Sequence, residues 1–221
     1  MKILVIGDSI GLPRLKKNCC EVELYYEDAY PEQIRKFALQ WFHGEDVLLV
    51  NACRHAQTSM HLLRGAANEV CFLQPDYVVL QLGMTDLWPA AGRSVPPPFP
   101  ELVGKDPWVG PDEYTHNIEL FLRYCFTFPD LGVVLVNIPK CSQSQYAQHG
   151  DAFERTLHYN KLLEKFALSK RVVLVDAYSL FHRLGEAALG SDGIHPTREA
   201  SRQLGEMIGA AMLPRVIMAE V

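Results

Sequence analysis

Five short apolar runs, at residues 2–6, 46–50, 77–82, 132–138 and 171–175, constrain this chain more than any other feature of its 221 residues. A strand with one face in water alternates apolar and polar residues, whereas a strand apolar throughout is buried on both faces, as in a parallel sheet covered by helices on each side. The stretches between the runs supply those helices. Residues 31–42 and 59–73 read as helical, and Tyr114, Ile118, Phe121, Leu122 and Cys125 place an apolar stripe at helical spacing on a third element. Residues 151–168 form a fourth with a weaker period. A last helix over 198–212 carries Ala200, Leu204, Met207, Ile208 and Ala211 on one face, with Thr197 as its N-cap after Pro196. The pattern predicts one doubly wound α/β domain spanning 1–221, with a five-stranded parallel sheet and helices on both faces. Residues 21–25 alternate like an exposed strand and read equally as extended loop.

In a doubly wound sheet, ligands bind outside the carboxyl ends of the strands. The loops at that edge are residues 7–13, 51–58, 83–112 and 139–150. The third is a compositional outlier. Pro89, Pro96, Pro97, Pro98, Pro100, Pro107 and Pro111 crowd it, with Trp88, Phe99 and Trp108 between them, so residues 87–112 read as a proline- and aromatic-rich loop insertion. Its aromatics, Trp88 and Trp108 among them, are candidates for a substrate wall, or for anchors holding the loop to the domain.

Charge narrows the partners. Against 26 acidic residues stand 21 basic ones, for a formal charge of −5, which argues against nucleic acid. No apolar run approaches the roughly 18 residues of a membrane span. The first strand runs straight into Gly7-Asp8-Ser9 without a signal-peptide pattern, so a cytoplasmic location is expected. Cys19, Cys20, Cys53, Cys71, Cys125 and Cys141 include no C-x-x-C pair and read as reduced thiols. His43, His61, His116, His149, His158 and His182 show no metal-ligand spacing, and no metal or other cofactor is expected. The apolar tail at 213–218 is open to covering the domain's own sheet edge or a second copy of the chain, which leaves a homo-oligomer in view.

The first loop lacks G-x-G-x-x-G and G-K-[ST], so it is no phosphate cradle. It does put Ser9 at the carboxyl edge of the sheet after a glycine that permits a sharp turn. At the other end of the chain, Ser191-Asp192-Gly193-Ile194-His195-Pro196-Thr197 directly precedes the last helix. Pro196 holds His195 on an extended segment, and Asp192, three residues earlier across a glycine, is placed to accept the ring N–H and fix the tautomer. A serine nucleophile needs a base, and the base needs an orienting carboxylate.

Taken together, Gly7-Asp8-Ser9 after the first strand, Gly83-Met84-Thr85-Asp86 after the third and Asp192-Gly193-Ile194-His195 before the last helix resemble the SGNH (GDSL-type) hydrolases over almost the whole chain. The resemblance implies a flavodoxin-like three-layer fold. It also implies a serine esterase working through an acyl-enzyme on a small acylated molecule, such as an O-acetylated carbohydrate. Ser9 would be the nucleophile, His195 the general base and then acid, and Asp192 the orienter. Acyl transfer on the same triad and a catalytically weakened binding module are the competing readings. The chain departs from the family twice, both times at the oxyanion hole. Ala56 stands at the usual glycine and Thr85 at the usual asparagine, so the hole would comprise Ser9, Ala56 and Thr85. Asp8, Arg54, His55, Trp88 and Trp108 are candidate substrate-binding residues. Asp86 is expected to brace its turn, and Asp176 to cap a helix.

Overall fold

The computed structural model describes residues 1–42, 46–88 and 109–219. Strands β1 (Lys2–Gly7), β4 (Leu48–Asn51), β5 (Tyr77–Gln81), β6 (Gly132–Val136) and β7 (Val172–Val175) form one sheet in the order β4-β1-β5-β6-β7, every neighbour parallel. All five predicted runs are strands of this sheet, and β5 and β6 are buried at every residue. A short hairpin, β2 (Arg14–Leu15) antiparallel to β3 (Val22–Leu24), settles the alternating segment as a strand.

Helices α1 (Tyr30–Trp41), α6 (Ala177–Leu184) and α7 (Arg198–Ala219) form one layer, and α2 (Ala67–Leu73), α3 (Pro111–Cys125) and α5 (Ala152–Leu163) the other. This is the three-layer, flavodoxin-like arrangement, with the strand order reversing between β1 and β5. Gly205 and Gly209 let α7 lie close on α1, where a Cβ would meet Gln33 and Phe37. Thr197 caps α7 through a bond from the Ala200 N–H to its hydroxyl, and Asp176 caps α6 by accepting from Ser179 N.

Three elements differ from the sequence reading. Residues 59–73 are not one helix but a 3-10 turn (Ser59–His61), a π turn (Leu62–Ala66) and α2. The buried apolar residues here, Leu62, Ala66 and Val70, repeat every four positions, which drifts by about 40° per repeat on an α-helix. The wider π turn takes that drift back and keeps all three on the core face. The predicted helix at 151–168 is helical only to Leu163 and tightens into a 3-10 segment at Glu164–Leu168. The last helix continues past Met212 through Pro214 to Ala219, since a proline removes one hydrogen bond from the ladder without ending it here. Two short helices escaped the periodicity, α6 and α4 (Gln143–Gln148). The proline-rich loop ends at Pro111, which is the first residue of α3, where proline's missing N–H costs nothing.

Candidate active site

Two chain segments, the turn after β1 and the loop before α7, converge beyond the carboxyl end of β1. Asp8 follows the strand and caps a single 3-10 turn, Ser9–Gly11, by accepting the Ile10 N–H at 3.0 Å. That turn holds Ser9 half-buried with Oγ 2.8 Å from His195 Nε2. His195 Nδ1 lies 2.7 Å from Asp192 Oδ2, and the other carboxylate oxygen accepts the backbone N–H groups of Ile194 and His195 at 3.0 and 3.1 Å. Burial alone would raise the Asp192 carboxyl, but the hydrogen bond and charge of the His195 ring, with those two N–H groups, hold it well below the ordinary carboxylate range. A carboxylate so placed fixes the ring tautomer that leaves Nε2 free to accept from the serine.

The histidine loop is pinned from both sides. Gly190 N donates to His195 O at 2.7 Å, and Leu189 bridges Pro196. From the α4 side, Ser142 N donates to Gly193 O and Gln145 Nε2 to Asp192 O, both at 2.8 Å. Gly193 adopts φ +71°, and a Cβ there would sit 2.3 Å from Ser142 Oγ, so the turn between Asp192 and His195 depends on glycine.

The neighbouring loops are tied to the serine turn. After β4, Asn51 Nδ2 donates to Gly11 O at 3.0 Å and Arg54 N to Gly7 O at 3.0 Å. Ala56 then takes the left-handed conformation, φ +55°, that a glycine would adopt freely, at a strain of about 1 kcal/mol. After β5, Gly83 opens the turn holding the half-buried Thr85. Asp86 braces that turn as expected: buried, it accepts from Ser59 N at 2.9 Å and Ser59 Oγ at 2.7 Å.

The remaining sequence candidates divide. Asp8 is wholly buried beneath the turn and closed to a substrate; adjacency to Ser9 in sequence says nothing of which way its side chain turns. Its carboxyl is pushed up to about 7, chiefly by burial, against the pull of the Ile10 N–H and with the Asp86 charge adding to the rise. Because that value lies above the ordinary 3.8, Asp8 contributes stability that is whole below pH 3.8 and is lost as pH climbs through 7. Asp8→Asn keeps an acceptor for Ile10 and never ionises. Its unfolding free energy relative to the parent is therefore expected to improve by on the order of 3 kcal/mol between pH 4 and pH 8. Urea unfolding at both pH values reads this, and a pH-independent difference contradicts it.

Arg54 is 62% exposed and ion-paired with Glu69, which already answers its charge. His55 is exposed beside it, and both line a cavity of about 380 Å³ with Gln57, His61, Arg64 and Glu69. Trp88 is half-buried and stacked on His149 at 4.9 Å, nearly parallel, an anchoring contact. Trp108, with most of the 87–112 loop, lies outside the described residues. What sequence reasoning missed is Arg14, whose Nη2 stands 2.8 Å from Asp192 Oδ2 and 3.2 Å from Glu23 Oε2. No motif marks either residue; the one signal was the alternation that made 21–25 a candidate strand.

A flavodoxin-like sheet with a serine, a histidine and a carboxylate linked in series at its carboxyl edge is the architecture of a serine hydrolase of the SGNH type. The family model of the GDSL-like lipase/acylhydrolases matches residues 5–203, so the chain belongs to that family and is an ester hydrolase acting on small-molecule esters. Solved structures of the same fold include a lipase/acylhydrolase from Enterococcus faecalis, 18% identical with a TM-score of 0.73, covering 97% of this chain and 96% of that one. An α/β hydrolase, LAE5, from the metagenome of Lake Arreo is 24% identical with a TM-score of 0.67, covering 97% and 94%. Axe2, an acetylxylan esterase from Geobacillus stearothermophilus, is 18% identical with a TM-score of 0.69, covering 97% and 93%. No curated protein sequence matches the chain significantly. Among the described residues no helix is long and apolar enough to cross a membrane.

Proposed function

We propose that this chain hydrolyses short-chain acyl esters of a polar alcohol, an O-acetylated carbohydrate being the best-fitting class, by a Ser9–His195–Asp192 triad. The observation that carries the reading is the unbroken series of contacts, 2.8 Å from Ser9 Oγ to His195 Nε2 and 2.7 Å from His195 Nδ1 to Asp192. Ser9 Oγ attacks the acyl carbonyl carbon as its proton passes to Nε2. The negative charge that gathers on the carbonyl oxygen is met by the N–H groups of Ser9 and Ala56 and by the Thr85 hydroxyl, each such donor being worth ~3 kcal/mol of barrier. The left-handed backbone of Ala56 supports its standing in for glycine there. The imidazolium then protonates the departing alcohol, leaving an acyl-serine. Water attacks that ester while His195 again takes the proton, and Ser9 is regenerated with release of the acid.

Support for a polar alcohol comes from the surroundings of Ala56. The cavity beside that loop has Arg54, His55, Gln57, His61, Arg64 and Glu69 among its lining residues, whose polar groups can hydrogen-bond a hydroxylated alcohol. An acetylxylan esterase of the same fold is consistent with this class. A series of p-nitrophenyl esters from acetate to dodecanoate tests it. The expected kcat/KM is highest for acetate to butyrate and falls at least ~10-fold by dodecanoate, since each unburied methylene forfeits its transfer energy. A steady rise with chain length contradicts it.

A further inference from the structure

Building on the triad proposed above, we infer that Arg14 is a positioning residue acting through its charge. It tempers the Asp192 carboxylate, so that the His195 ring stays neutral, and able to accept the Ser9 proton, to lower pH than the carboxylate alone would permit.

The geometry is that of an alternating chain of charge. The β2–β3 hairpin brings Arg14 and Glu23 against the histidine loop. Arg14 Nη2 lies 2.8 Å from Asp192 Oδ2, the same oxygen that faces the His195 ring, and 3.2 Å from Glu23 Oε2. Glu23 Oε1 accepts the Ser191 N–H, which fastens the hairpin to the loop one residue before Asp192. The Arg14 side chain is only 10% exposed, so water screens the contact poorly. A guanidinium keeps its charge at every pH at which an imidazole gains or loses one.

Arg14 is not needed to hold Asp192 in place. Oδ1 already accepts two backbone N–H groups and Oδ2 the ring N–H, so the carboxylate is fixed without it. What Arg14 adds is positive charge on the oxygen that would otherwise stabilise imidazolium in full. A lone carboxylate beside a histidine favours the protonated ring; a cation on the far side takes part of that preference away, and Glu23 returns some of it.

Other ionisable groups stand on the surrounding elements. On the serine's own turn is Asp8, which titrates near 7. Ahead of α4 is Cys141, whose thiol burial keeps far above its ordinary value, so that it stays neutral. At the start of α7, Arg198 is paired with Asp28. All three are common to every variant below, so differences between variants report on the hairpin.

The test is the pH dependence of kcat/KM on p-nitrophenyl acetate for the parent, Arg14→Gln, Arg14→Lys, Glu23→Gln and the Arg14→Gln/Glu23→Gln pair. His195→Ala is measured beside them. With Arg14→Gln the midpoint of the acid limb is expected to move up by about one pH unit. Glu23→Gln moves it down by a smaller step, the pair falls between, and Arg14→Lys, which keeps the charge, stays near the parent. A role in packing alone would not produce opposite shifts from two residues of one ion pair. An unmoved or lowered midpoint in Arg14→Gln overturns the inference, as does an Arg14→Lys midpoint that moves as far as the Arg14→Gln one. Should Arg14→Gln fail to fold, the downward shift in Glu23→Gln and the unshifted Arg14→Lys decide the matter. Near-parental turnover in His195→Ala overturns the triad itself, whereas an inactive His195→Ala with an unmoved Arg14→Gln midpoint overturns the Arg14 role alone.

Discussion

Replacing Ser9 by alanine is expected to lower kcat for ester hydrolysis by on the order of 10⁴-fold or more, with His195→Ala close behind and the double variant scarcely worse than either. The reason is that the two side chains act as one unit. Without the oxygen there is no nucleophile to deprotonate, and without the imidazole the hydroxyl, bonded to it at 2.8 Å, has no base. The residual rate comes from binding and the oxyanion donors, which neither substitution touches. Among the described residues Ser9 Oγ bonds only the ring, so thermal unfolding should be nearly unchanged. Steady-state kinetics on p-nitrophenyl acetate with a parallel melt checks both halves. Multiplying losses in the double variant would mean that the residues act independently, which the contact does not allow.

The largest effect on stability is expected at Gly83. Its backbone sits at φ +128°, and a Cβ would lie 2.4 Å from Ile138 Cδ1, 2.6 Å from Ile138 Cγ1 and 3.0 Å from the Tyr114 hydroxyl. Ile138 and Tyr114 are both wholly buried, and Tyr114 donates to Leu82 O at 3.0 Å, so neither has room to retreat. Gly83→Ala therefore combines a backbone conformation nearly closed to side chains with overpacking of the core. Together these cost about 3–5 kcal/mol, or a fall in Tm of roughly 10 °C or more for a domain of this size. Calorimetry on the variant reads it directly. A loss under about 1 kcal/mol would mean that the β5 turn relaxes freely, and with it the placing of Thr85.

How much of this was legible in the sequence depended on whether burial wrote itself into a pattern. The sheet did so. Val78, Val79 and Leu80 on β5, or Val133 to Val136 on β6, are apolar without alternation because both faces are covered, and every strand lies within two residues of its apolar run. Helix α4 did not, since its sequence, Gln-Ser-Gln-Tyr-Ala-Gln, buries only Tyr146 and carries no apolar period. It forms because Ser142 caps it, accepting from Gln145 N. The π turn was hidden because a four-residue repeat on Leu62, Ala66 and Val70 is read as helix by any rule tuned to 3.6 residues per turn.

The meeting of Ser9, Asp192 and His195 was legible because each stands on a loop whose place the strand order dictates, and Asp192 and His195 are three residues apart in sequence. Ala56 was readable as a position, and its left-handed backbone is what the sequence left open. Asp8 was misjudged as open to substrate, because the direction of a side chain in a tight turn leaves no periodic trace. Arg14 and Glu23 were invisible for a different reason. Their meaning lies in contacts with residues 191 and 192, more than 160 positions away, made through a hairpin of two and three residues.

The most direct measurement of the central claim is covalent labelling of the parent protein with a p-nitrophenyl organophosphonate ester, followed by intact mass and peptide mapping. A serine paired with a neutral imidazole attacks phosphorus as it attacks an acyl carbonyl, losing p-nitrophenol and keeping the phosphonyl group. The triad predicts one adduct per chain, on the peptide containing Ser9, with concurrent loss of esterase activity and none of it in His195→Ala. Full activity retained without an adduct, or an adduct at another residue that tracks the loss of activity, would contradict it.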